Sequence, residues 1–74
     1  MKKISITAII EKDPLGWYVG QLEEFPEVIS QGKTIEELKS NLKSALDDLI
    51  EIQREDTLAL YKGKKIIRRK LTYV

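Results

Sequence analysis

Residues 3–11 alternate between Ile4, Ile6, Ala8 and Ile10 on one parity and Ser5, Thr7 and Ile9 on the other. A period of two rich in β-branched side chains predicts a strand with one buried face. Asp13-Pro14-Leu15-Gly16 then supplies the proline and glycine of a tight reverse turn. Trp17 to Leu22 reads as a second strand, antiparallel to the first because the connection is too short for a crossover. Glu23 to Glu27 forms a loop around Pro26, which has no N–H to give a ladder. Val28 to Gln31 is a short third strand ending at Gly32.

The pattern changes period at Thr34. Thr34-Ile35-Glu36-Glu37 matches a capping box, with the Thr34 hydroxyl accepting from the third helical N–H and Glu37 reaching back to the Thr34 N–H. Apolar residues then recur at Ile35, Leu38, Leu42, Ala45, Leu46, Leu49 and Ile52, a single helical stripe. Glu36, Lys39, Lys43, Asp47 and Glu51 occupy the opposite face. The helix is expected to end near Glu55, giving about 22 residues and ~33 Å. Asp56 to Gly63 is a connection in which Leu58, Leu60 and Tyr61 can extend the helix or form a short strand. Lys64 to Val74 reads as a final strand, with Ile67, Leu71 and Tyr73 on one parity and Ile66, Arg68, Lys70 and Thr72 on the other. The expected order is β-β-β-α-β. That is an α+β fold in which one helix covers one face of a small, mostly antiparallel sheet.

Composition narrows the chemistry. Seventy-four residues form one domain, 1–74, with no linker, repeat or low-complexity tract. The absence of cysteine excludes a disulfide scaffold, a thiolate nucleophile and a Cys-based zinc site, and the absence of histidine removes the usual neutral-pH acid–base group. Metal-dependent hydrolysis would need convergent carboxylates, and Glu11, Asp13, Glu23, Glu24 and Glu27 are the candidates. They flank one turn and fill one loop, where solvated charge is the ordinary outcome, so neither a metal, a cofactor nor catalysis is expected. No apolar run reaches the ~20 residues of a membrane span, and no signal peptide is recognisable, so a cytoplasmic protein is expected.

The formal net charge of +1 conceals a polarity. All 12 acidic residues precede Lys62, against seven bases, so residues 1–61 carry −5. Lys62, Lys64, Lys65, Arg68, Arg69 and Lys70 follow without an acid, a charge of +6. A basic last strand guards a sheet edge, meets an acidic surface on another copy or partner, or contacts phosphates. The chain offers neither a recognition helix nor an aromatic stacking platform, so nucleic-acid binding on its own is not expected.

Adjacent strand residues face opposite ways, so Trp17 and Tyr18 cannot enter the same core. One helix covers one sheet face, leaving the other bare, and Ile9 and Ile29 fall on the parity opposite to their strands' buried sets. Ile9, Trp17, Tyr18, Phe25, Ile29, Arg68 and Arg69 are therefore the candidate interface residues, and a homo-oligomer, dimer or tetramer, is expected.

Taken in order, Gly16-Trp17-Tyr18, Phe25-Pro26, Ser30-Gln31-Gly32-Lys33-Thr34, Glu36-Glu37 and Ala45-Leu46 resemble the N-terminal domain of HicB-type antitoxins. With the flanking strands, the resemblance covers nearly the whole chain. It departs at Glu27, where the family usually has glycine, at Lys33 for aspartate and at Leu38 for alanine. The residues after Asp56 are also too few for the helix-turn-helix or ribbon-helix-helix that many members append. The resemblance implies a degraded ribonuclease H-like sheet in a stand-alone domain. It further implies stoichiometric neutralisation of a HicA-type mRNA interferase by occlusion, with the catalytic histidine on the toxin's side. The expected alternatives are an orphaned structural or regulatory oligomeric domain, and a nucleic-acid-binding module using the basic last strand.

Overall fold

The structure, a computed structural model, describes residues 5–71. Three strands, β1 (Ala8–Lys12), β2 (Tyr18–Leu22) and β3 (Ile29–Gly32), precede one helix, α1 (Ile35–Ala59). The sheet is antiparallel throughout in the order β1-β2-β3, as the strand patterns predict, and the fold is α+β.

The β1–β2 turn forms as its sequence demands. Gly16 donates its N–H to the Asp13 carbonyl at 2.9 Å, and the Asp13 carboxylate accepts from Leu15 N–H at 2.7 Å. Gly16 itself sits at φ +93°, a left-handed conformation that a side chain opposes. The register sets Ala8 opposite Leu22, Ile10 opposite Gly20 and Lys12 opposite Tyr18. These residues and Ser30 share the face that meets the helix. The expected start of β1 near residue 3 is not reached within the described residues, since 5–7 lie outside the ladder; Ile4 lies outside the described residues. Thr7 still closes the end of the pairing by accepting Glu23 N–H at 2.9 Å.

Thr34 caps α1, its hydroxyl accepting Glu37 N–H at 3.0 Å, which contributes about 1 kcal/mol. Glu36 and Glu37 occupy the positive end of the helix dipole. The helix seats Leu38, Leu42 and Leu46 on Leu22 and Val28, and these five residues form the buried core. Asn41 ties the helix to the sheet by donating to the Gln31 carbonyl at 2.9 Å. Ile35 and Ile52, at the two ends of the expected stripe, are exposed.

Two expectations about the second half of the chain are corrected. The helix runs one turn past Glu55, to Ala59, because neither glycine nor proline interrupts residues 33–62. Three-residue turns through Leu60, Tyr61 and Lys62 then lead to Gly63 at φ +81°, where the chain reverses. The expected final strand is not formed over residues 64–71, and residues 72–74 lie outside the described range. The cause is reach. A 25-residue helix is about 38 Å long, whereas five-residue strands cover roughly 17 Å. The helix therefore carries the chain past the sheet, and the returning segment runs beside the overhanging half, with Arg68 among Ile50, Gln53, Arg54, Thr57 and Leu58. No residue from Glu51 to Leu71 is buried.

Candidate functional site

The sheet divides the predicted interface residues. On the face turned away from α1, one cross-strand row reads Ile9, Gln21, Ile29 and the next reads Glu11, Val19, Gln31. Ile9 is 52% exposed and Ile29 58% exposed, although both are β-branched strand residues. Gln21, between them, leans aside because its amide donates to the Pro26 carbonyl at 2.7 Å. What remains is a shallow depression of about 190 Å³ bordered by Ile9, Glu11, Val19 and Ile29. Trp17, half-buried, closes one end of this face with the Lys33 ammonium 5.6 Å from its ring centroid.

Tyr18 and Phe25 do not belong to that surface. Both pack against the buried core on the helix side. Tyr18 lies on the parity of Gly20 and Leu22, with Lys12 5.6 Å from its ring. Phe25 is drawn inward by a turn in which its carbonyl accepts Val28 N–H at 2.9 Å, seating Val28 in the core. Arg68 and Arg69 lie far along the chain from the bare face, in the segment beside the helix overhang, with Arg69 donating to the Arg68 carbonyl at 2.9 Å. Periodicity separated Ile9 and Ile29 from the core. It could not place Phe25, which sits in a loop where no period applies.

A second opening lies along β1. The helix packs over β3 and β2 and leaves the inner face of β1 partly uncovered. Ile6, Ala8 and Ile10 on one side and Leu42 and Leu46 on the other line a groove of about 450 Å³, rimmed by Lys39, Lys43 and Asp47. Sequence reasoning missed this groove, because its existence depends on where the helix axis crosses the sheet.

The five candidate carboxylates are spread out. Glu11 stands on the bare face and Asp13 is engaged in its turn. Glu24 accepts Thr7 N–H at 2.7 Å, a bond to its ionised form that holds its carboxyl below the ordinary glutamate range. Among the described residues no three acidic side chains gather as a metal-binding group, and no helix is long and apolar enough to cross a membrane.

A three-stranded antiparallel sheet with one long helix on one face, and a bare opposite face, defines a small α+β module whose free surface is larger than its core. The sequence profile of the UPF0150-like family matches residues 7–60, and the chain belongs to that family. The match spans the sheet and the whole helix and stops where the basic segment begins. Two Synechocystis sp. proteins are similar to it. UPF0150 protein ssr1258 is 32% identical over 68 residues, covering 90% of this chain and 99% of the relative. UPF0150 protein ssl0738 is 43% identical over 54 residues, covering 73% of this chain and 75% of the relative. No solved structure matches the chain significantly.

Proposed function

We propose that the chain is a non-catalytic protein-binding module of the HicB antitoxin kind, which neutralises a HicA-type mRNA interferase by occupying its surface. The observation that carries this reading is the bare sheet face, where Ile9 and Ile29 stand more than half exposed across a central strand. Exposed β-branched residues in register gain most by being covered, and an ordered three-stranded sheet presents them without further conformational cost. The ordered motifs from Gly16 to Leu46, which resemble HicB domains, give the class of partner. A module of this kind needs no acid–base machinery, in keeping with a chain that has neither cysteine nor histidine.

Co-expression with the product of the adjacent short reading frame tests it. The expected neighbour is a small basic chain with a histidine, toxic alone, relieved by this protein and co-purifying with it in fixed stoichiometry. Persistent toxicity and no complex would end the antitoxin reading. In that case the alternative is an oligomeric domain without a toxin.

A further inference from the structure

Residues 51–71 form an arm without a core. Ile67 and Leu71 are 81% and 79% exposed, and Ile52, Leu60, Tyr61 and Ile66 are exposed as well. The molecule exposes 6728 Å² in all, against about 4,700 Å² for a compact monomer of 8.5 kDa. Its radius of gyration is 16.2 Å, where a compact chain of 74 residues has about 11 Å. The excess surface, roughly 2,000 Å², exceeds the ~800 Å² that each partner contributes to an ordinary specific interface.

The arm's resting place in its own chain is electrostatically poor. Arg68, Arg69 and Lys70 share one depression with Arg54, so four cations line it. The ion pairs among the described residues are Lys39–Glu36 and Arg54–Glu51, each 3.9 Å, and neither uses a cation of residues 62–70. Meanwhile β1 is an edge strand. Glu23 N–H to Thr7 carbonyl and Asp13 N–H to Trp17 carbonyl fix the phase of the β1–β2 ladder. That phase turns the N–H and C=O groups of Ala8, Ile10 and Lys12 outward. The apolar groove lies directly beside this edge.

We propose that two copies exchange arms, the segment Ile66–Leu71 of each pairing with the β1 edge of the other. In a strand laid there, Ile67, Arg69 and Leu71 share one face and Ile66, Arg68 and Lys70 the other. Ile67 and Leu71 enter the groove against Ile10, Leu42 and Leu46, and Arg69 meets Asp47 on its rim. Arg68 and Lys70 fall on the side of Glu11. The arm does not make this contact at home: Arg68 lies among Ile50 to Leu58, while the groove lies between Lys39 and Asp47. The exchange is two-fold and closed, so each copy gives one arm and receives one. It brings Arg68, Arg69 and Lys70 to Glu11 and Asp47, on a rim that also carries Lys39 and Lys43, and it leaves the bare face with Ile9 and Ile29 free for another protein.

The test uses the full chain alone, so its outcome is independent of any toxin. Sedimentation equilibrium is expected to show a dimer. Ile67→Asp spoils the arm, and Ala8→Pro blocks the edge without removing a β1–β2 hydrogen bond, since the Ala8 N–H points outward. Each is expected to raise the dimer dissociation constant at least tenfold with unchanged far-ultraviolet circular dichroism. Ala8→Trp, which plugs the groove, replaces Ala8→Pro if the latter loses its sheet signal. Mixing the two variants should restore dimers, because one intact arm then meets one intact edge. A wild-type monomer at all concentrations, dimers indifferent to the substitutions, or a mixture that stays monomeric would each overturn the exchange. So would a monomer destabilised by Ile67→Asp, which would put the arm on its own chain.

Discussion

Gly32→Ala is expected to cost about 3 kcal/mol, enough to remove a large part of the roughly 4–11 kcal/mol that a domain of this size has. The reason is a contact between backbones. A methyl group on Gly32 would stand 2.6 Å from the Leu38 backbone nitrogen and 3.1 Å from its Cα. Leu38 is fully buried, at 0% exposure, and it anchors the first turns of α1 on the sheet. The helix must therefore lift at its N-terminal end, opening the packing of Leu38 and Leu42 together. Urea denaturation should show a lower midpoint for Gly32→Ala than for Gly16→Ala. At Gly16 nothing lies within 4 Å of the added methyl and only the backbone at φ +93° resists, a cost of about 1–2 kcal/mol. Equal midpoints would mean that the helix and sheet are not in the close contact described.

Ile9→Arg combined with Ile29→Arg is expected to do the reverse, leaving the fold nearly intact and removing partner binding. Neither side chain touches the buried core, and both are more than half exposed. The melting temperature should fall by no more than about 5 °C, an effect of under ~1 kcal/mol in a domain of this size. Against a basic toxin, two cations at the centre of a contact surface both remove apolar burial and add repulsion. The affinity of the complex should drop at least ~100-fold, the scale of two central anchors lost. Leu15→Arg, at a turn residue 85% exposed, is the control that should change neither quantity. Self-association should be unaffected by Ile29→Arg alone, since β3 lies across the sheet from the β1 edge. Retention of wild-type affinity for the proposed toxin by the double variant would move the docking face away from Ile9 and Ile29.

The first half of the chain was legible in the sequence because its signals are local. Asp13-Pro14-Leu15-Gly16 can form few structures other than a tight turn, and the turn fixes which strands pair. Alternation then separates Ala8 and Ile10 from Ile9 without knowledge of the helix. Thr34 announces the helix start by the bond it makes. The helix end has no comparable marker. Between Gly32 and Gly63 nothing opposes continuation, so a helix that loses its tertiary contacts near Ile50 still runs to Ala59. The final strand is not formed over residues 64–71 for a different reason. Ile67 and Leu71 do alternate as strand residues, but a strand exists only along a sheet edge, and this segment lies beside the helix overhang instead. Tyr18 and Phe25 show the same limit. Parity says that Trp17 and Tyr18 part company, but it takes the helix position to say which one goes inward.

The overhanging arm also bears on the lifetime of the protein. Backbone that touches no core opens locally at little cost, and a protease needs roughly such an open stretch to begin cutting. A lone copy therefore carries its own point of entry, at Gln53 to Leu71, and the proposed exchange would cover its last part, Ile66 to Leu71. Cleavage in the arm should slow as the protein is concentrated, which limited proteolysis across a dilution series reads directly. Under the proposed exchange, persistence depends on company: each molecule is stabilised by meeting its like, and dilution marks it for removal.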